Sequence, residues 1–174
     1  MNRISFFILI IVLYSCQAPV QEQVIPQPDR VTEQFVRANR YMQRRHQDHI
    51  GAFIERVGWN AHTNPSGLWI VTGDPGEGER IREGSMVRYS FESLLLDGTP
   101  CYSATEQDPR VITIGRGGVE RGVEEGLRQL REGAEATFLI PPHLAHGNFG
   151  DRNKIPGNMV LIYKVKILEV RQDS

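Results

Sequence analysis

Val119-Glu120-Arg121-Gly122-Val123-Glu124-Glu125-Gly126-Leu127 is the stretch on which the fold turns. Val123, Leu127 and Leu130 recur at helical spacing, and Gly133 follows where such a helix stops. On both sides of this short helix the period changes to two. Upstream, Trp69-Ile70-Val71 reads as a strand closed by Gly73-Asp74-Pro75-Gly76. Met86 to Leu95 follows, with Val87, Tyr89 and Phe91 on one face and Arg88, Ser90 and Glu92 on the other. Asp97-Gly98 is a strong hairpin turn, and Val111 to Ile114 is a short strand stopped at Gly115. Downstream, Ala134 to Ile140 is a strand ending at Pro141-Pro142, and 143–158 is a long loop rich in Gly, Asn and Pro. Val160 to Val170 closes the domain, with Leu161, Tyr163, Val165 and Ile167 inward and Lys164 and Lys166 outward. Five strands and one short helix predict an α+β domain, an antiparallel sheet wrapped on that helix.

The segment before this domain has a different character. Residues 29–59 are predicted as an amphipathic helix, capped by Asp29 or Thr32 and broken by Asn, Pro and Gly from Asn60 onward. Its apolar stripe reads Val31, Phe35, Ala38, Met42, His49, Phe53 and Val57, close to a seven-residue repeat. Such a helix is about 45 Å long, more than a domain of this size is wide. Part of the stripe therefore stays wet unless another chain covers it, which predicts a homodimer through residues 29–57.

The first sixteen residues, MNRISFFILIIVLYSC, carry one basic residue, Arg3, then an apolar run from Ile4 to Tyr14. The run is too short for a permanent transmembrane helix and has the length of a secretory signal core. Ser15-Cys16 at its end resembles a bacterial lipobox, in which the signal is removed before the cysteine and the cysteine is acylated. Residues 1–15 are thus predicted as a lipoprotein signal peptide and 16–28 as a proline-containing linker. The protein is expected outside the cytoplasm as a cell-envelope lipoprotein. Gln17 after the cysteine resembles sorting to an outer membrane, with the domain expected to face the periplasm.

The bulk numbers exclude other classes. The net charge of −1 becomes about −2 once Arg3 is removed, which is not the basic face that nucleic acid requires. Of two cysteines, Cys16 is expected to be acylated, leaving Cys101 as a packed free thiol and no disulfide framework. His143 and His146 lie close together, but without a cysteine or carboxylate cluster they are loop residues, not a metal site. Gly115-Arg116-Gly117-Gly118 lacks the spacing and the Lys-Ser/Thr of a phosphate loop. No cofactor is expected.

The order of the elements resembles the FKBP-type peptidyl-prolyl cis-trans isomerases over residues 66–171. Gly84-Ser85-Met86-Val87-Arg88-Tyr89, Leu96-Asp97-Gly98-Thr99 and Ile114-Gly115 match in turn, and Val119 to Leu127 is the most specific segment. Glu132-Gly133-Ala134, Ile140-Pro141-Pro142, Ala145-His146-Gly147 and Ile155-Pro156-Gly157-Asn158 follow in order. Lipidation with an N-terminal helix also resembles the FKBP-type lipoproteins of gliding bacteria. The resemblance implies a bowl lined by Tyr89, Tyr102, Val119, Glu120, Val123, His146 and Tyr163, with Ile155 approaching from the long loop. The Glu120 backbone N–H would bind a substrate carbonyl. The implied clients are proline-containing or unfolded exported proteins, and long helices before such domains support dimers in similar envelope isomerases. A non-catalytic FKBP-like chaperone, or a binding module of an envelope machine, is the alternative.

The pocket also departs from the family. Tyr102-Ser103 stands where an aromatic and an aspartate are common, Arg110 where a second phenylalanine is, Val123 at the usual floor tryptophan and His146 at the loop tyrosine. The smaller floor is expected to widen the bowl, and isomerisation is expected to be weak.

Overall fold

The computed structural model describes residues 29–172, so the predicted signal peptide, the linker and Cys16 lie outside the described residues. Helix α1 spans Arg30–Val57. Asp29 caps it: its Oδ1 accepts the Thr32 backbone N–H at 2.7 Å, and its carbonyl accepts the Glu33 N–H. The cap holds the Asp29 carboxyl below its usual range. Gly51 does not end the helix. Gly58 does, with φ of 70° and the Trp59 N–H donating back to the Ile54 carbonyl.

The strands are β1 (His62–Thr63), β2 (Trp69–Thr72), β3 (Met86–Leu95), β4 (Pro100–Ala104), β5 (Arg110–Thr113), β6 (Glu135–Ile140) and β7 (Leu161–Arg171). They form one antiparallel sheet in the order β1-β2-β6-β7-β3-β4, with β5 paired to the other half of the same edge of β3. Two strands exceed the expected five. β4 is the return arm of the Asp97-Gly98 hairpin, hidden in sequence by its opening Pro100. β1 is a two-residue pairing to β2.

The predicted central helix is α2, Arg121–Leu127, shorter than its sequence pattern because Gln129 and Leu130 close as turns. It crosses the inner face of the sheet. A Cβ on Gly126 would lie 2.6 Å from the Phe138 ring, and one on Gly122 would lie 2.4 Å from Ile140 Cγ2. These two glycines, one helical turn apart, let the helix backbone approach the strands. Val123 and Leu127 enter the main core with Phe138, Ile140, Val165 and Ile167. The outer face is polar in its middle, where Lys164 pairs with Glu92, and Lys166 with Glu106 and Glu135.

The second half of α1 packs on the other end of that outer face. Ile50 and Ile54 are 0% and 7% exposed and meet Leu139, Val160, Trp69 and Val71. Gln47 accepts the Trp69 indole N–H at 2.6 Å and donates to the Gly67 carbonyl at 2.9 Å. The expected stripe is therefore corrected in its second half. His49 and Val57 are exposed, and the docked face runs through Met42, His46, Gln47, Ile50, Phe53 and Ile54. Contact with the sheet, not a heptad count, selects the face. Val31, Phe35, Val36 and Tyr41 are exposed. Among the described residues no helix is long and apolar enough to cross a membrane.

Candidate functional site

The register of the sheet assembles the site. Residues directly opposite in neighbouring strands share a face. One inner-face row reads Tyr102, Ser93, Tyr163 and Phe138 across β4, β3, β7 and β6. The next holds Ala104, Phe91, Val165 and Ala136. A third holds Arg110, Tyr89 and Ile167 across β5, β3 and β7. Ser93 is the small member between two tyrosines. Its hydroxyl donates to the Tyr102 carbonyl and accepts the Tyr102 N–H at 3.0 Å, beside a bulge at Ser93/Leu94. Phe91 and Tyr163 stack with centroids 4.7 Å apart and planes 7° apart, and Tyr89 tilts against Phe91 at 5.9 Å.

Val119 packs half-buried against the core just before α2, and Glu120 is the residue before the first helical turn. His146 follows the 3-10 turn Pro142–Leu144, and its Nε2 lies 2.9 Å from Glu120 Oε1. That approach falls outside hydrogen-bond geometry, so His146 Nε2 is buried without a hydrogen-bond partner. Burial pushes both the Tyr89 and Tyr163 phenols up. The phenols lie beside each other, and both feel the opposing charges of Arg110 and Glu120. Arg110 Nη2 donates to the Gly118 carbonyl, so its side chain bridges β5 to the loop before Val119.

Tyr89, Val123 and Tyr163 are 0%, 0% and 3% exposed. The smaller residue at position 123 therefore leaves no open floor, and the expected widening of the bowl is corrected. Phe91, Tyr102, Val119, Glu120 and His146 are half-buried around this covered floor, and Arg110 is exposed at its edge. Ile155 is buried in the same core, as expected.

Tyr102 packs half-buried against the core in this inner-face row and also ties down the long loop. Its hydroxyl donates to Asp151 Oδ2, while Asp151 Oδ1 accepts the N–H groups of Asn153 and Ile155 at 2.9 and 2.8 Å. Lys154 Nζ stands 5.1 Å over the Tyr102 ring. This cluster fixes the loop that carries His146 and Ile155. The Tyr102 hydrogen bond, more than any other influence, holds the Asp151 carboxyl down at about 2, against an ordinary 3.8. A depressed carboxylate stabilises the fold above its ordinary pKa and loses that contribution as pH falls through its folded value. Between about pH 4 and pH 2 the parent protein is expected to lose more stability than Asp151→Asn, as read by denaturant midpoints. Tyr102→Phe is expected to move the Asp151 carboxyl back toward 3.8 in an NMR titration.

Sequence reasoning missed Phe91 and Asp151 as members of the site, and read Arg110 there only as a lost aromatic. The alternation of β3 already placed Phe91 inward with Tyr89. Cys101 is buried and its thiol is pushed up by burial, which makes it a packing group. Among the described residues no group of three or more His, Cys, Asp or Glu is placed to hold a metal ion. A groove of about 570 Å³ lined by Met42, His46, His49, Leu96 and Met159 runs beside α1 and holds none of the expected site residues.

Comparison with known proteins agrees with this geometry. Residues 77–168, more than half of the chain, match the family described as FKBP-type peptidyl-prolyl cis-trans isomerase. The chain belongs to that family. Within the FKBP family it is 36% identical over 97 residues to peptidyl-prolyl cis-trans isomerase FKBP10 of Mus musculus, a match covering 55% of this chain and 16% of that protein. It is 34% identical over 110 residues to FK506-binding protein 4 of Mycosarcoma maydis, covering 62% of this chain and 28% of that one. The chain thus spans only a fraction of the length of these curated relatives. Among solved structures, AtFKBP13 superposes with a TM-score of 0.60 and 25% identity over 64% of this chain and 99% of its own. FkpA from Escherichia coli superposes with a TM-score of 0.62 and 22% identity, covering 99% of this chain and 83% of its own, a likeness of fold.

Proposed function

We propose that this FKBP-family chain is a membrane-tethered peptidyl-prolyl cis-trans isomerase acting on exported proteins in the cell envelope. The observation that carries the reading is the juxtaposition of Val119–Glu120, at the start of α2, with the stacked aromatic set of buried Tyr89 and Tyr163 and half-buried Phe91. Rotation about an Xaa–Pro bond needs no nucleophile. It needs the amide resonance to be lost, against a barrier of about 18–20 kcal/mol. A dry aromatic bowl favours the twisted amide over the polar planar one, and a donor to the preceding carbonyl holds it there. The Glu120 backbone N–H is that donor by family resemblance.

The test is refolding of a client limited by proline isomerisation. The isomerase reading expects the slow phase to accelerate in proportion to added protein. The covered floor favours one alternative, an FKBP-like chaperone or binding module without catalysis. That reading expects the slow phase to keep its rate while aggregation falls.

Two further parts of the proposal concern placement. Cys16, acylated after removal of residues 1–15, tethers the domain, most simply to an outer membrane facing the periplasm. This form resembles the FKBP-type lipoproteins of gliding bacteria. Cys16→Ser is expected to move the protein from the membrane fraction to the soluble one; a chain that stays membrane-bound contradicts the anchor. The exposed apolar residues Val31, Phe35, Val36 and Tyr41, with Phe35 71% exposed, support a homodimer through residues 29–57. Light scattering is expected to give a dimer for the parent and a monomer for Phe35→Asp, with unchanged circular dichroism.

A further inference from the structure

Arg110 was read from sequence as the loss of an aromatic wall. The sheet register makes it something else. Arg110 is paired directly with Tyr89, so its side chain leaves the sheet on the inner face, over a residue that is fully buried. The guanidinium reaches the Gly118 carbonyl, which accounts for one of its five N–H donors. Among the described residues, Arg88, Arg121, Arg128 and Arg171 each have a carboxylate within ion-pair distance; Arg110 has none.

Among the described residues no acid around the bowl stands within ion-pair distance of Arg110. Glu120 lies 2.9 Å from His146. Asp151 accepts from the Tyr102 hydroxyl and from two backbone N–H groups. Asp108, two residues before Arg110, makes no ion pair with it. Lys154, at the Tyr102 end of the site, stands over a ring and also has no carboxylate partner. Arg110 and Lys154 therefore each keep a positive charge without a carboxylate partner, and Arg110 and Glu120 act with opposite signs on the phenols below.

We propose that Arg110 is a specificity-determining residue that selects peptides with an acidic residue immediately before the proline. The inference rests on the isomerase reading of the bowl. The proline ring enters the aromatic floor beneath the phenols. The side chain of the preceding residue branches beside the twisting bond and stays at the mouth, where the guanidinium has donors to spare. A carboxylate there meets Arg110; the isosteric amide does not gain the same charge-assisted bond. A purely apolar rim would instead favour a leucine at that place.

The experiment uses the full chain and the peptides Ala-Glu-Pro-Phe, Ala-Gln-Pro-Phe and Ala-Leu-Pro-Phe, with Arg110→Gln and Arg110→Lys as variants. Both kcat/KM, from exchange NMR, and Kd, from titration, are measured at low and high salt. The parent is expected to prefer the Glu peptide over the Gln peptide by about two- to fivefold, and to lose most of that ratio at high salt. Arg110→Gln is expected to bring the ratio to about one and Arg110→Lys to keep part of it. Arg110 is exposed on a short strand, and the ratio is taken within each protein, so a general loss of activity does not imitate the effect. A parent ratio of one or less, or a ratio unchanged in Arg110→Gln, overturns the inference. An Arg110-dependent binding preference without turnover of any peptide keeps it and removes the isomerase reading. Turnover of the Leu peptide without binding of the Glu peptide does the reverse.

Discussion

Phe138→Ala is expected to cost about 3–5 kcal/mol of stability, the largest loss from any single truncation in this domain. Phe138 is fully buried, sits in the row with Tyr163 and Ser93, and is the surface on which α2 lies. The ring touches the helix where Gly126 has no side chain, and an added Cβ would meet three ring carbons at 2.6 to 2.8 Å. Gly126→Ala gains a little helix propensity but forces the ring aside, for a net loss of about 1–3 kcal/mol. Phe138→Leu, with a smaller tip, is expected to relieve part of that loss, so the two substitutions couple in a double-mutant cycle. Gly51 gives the opposite sign. It lies inside α1 with nothing within 4 Å of its would-be Cβ, so Gly51→Ala is expected to stabilise by about 0.5–1 kcal/mol. Urea titrations read all of these. Additive effects at Gly126 and Phe138 would contradict the packing argument.

Ile50→Asp is expected to release the second half of α1 from the sheet. Ile50 is fully buried beside Leu139 and Val160, with no cation in the cluster to pair with a carboxylate. An unpaired buried charge costs about 3 kcal/mol or more, and the chain avoids it most cheaply by undocking the helix. The main core, which lies on the opposite face, keeps its contacts. Hydrogen exchange is expected to become fast over Met42–Val57 while β3, β6 and β7 stay protected. Global unfolding would mean that the helix and the sheet form one cooperative unit.

These two effects also show which parts of the molecule were legible in the sequence. Strands β3 and β7 announce themselves because each alternates inward apolar residues with outward polar and charged ones, and β6 because Ala136, Phe138 and Ile140 recur at period two before Pro141-Pro142. The α2 segment is legible because its apolar spacing and its glycines serve one purpose, close approach to the sheet. β4 is not, since Pro100 and the run Cys101-Tyr102-Ser103 carry no alternation. The docked face of α1 was misread past Met42, because His49 and Val57 fit a repeat while Ile50 and Ile54 find the sheet. The floor of the site, Tyr89, Val123 and Tyr163, was read correctly as inward. Its rim was not. Arg110 acquires its place from a register that pairs it with Tyr89, and Asp151 from a loop closure of irregular backbone. Neither leaves a periodic trace.

This bowl, with its covered floor and charged rim, is expected to turn prolyl bonds. Exchange NMR on Ala-Leu-Pro-Phe tests it most directly, because it reads cis/trans interconversion without a coupled protease. With full chain at about 50 µM, exchange is expected to run at least about tenfold faster than the uncatalysed interconversion, which takes tens to hundreds of seconds. Val119→Asp, which puts a charge at the mouth beside Glu120, is expected to abolish the gain in a folded protein. An exchange rate equal to buffer alone, with the protein folded and the peptide at or above its Kd, would contradict the claim and leave a binding domain of FKBP architecture.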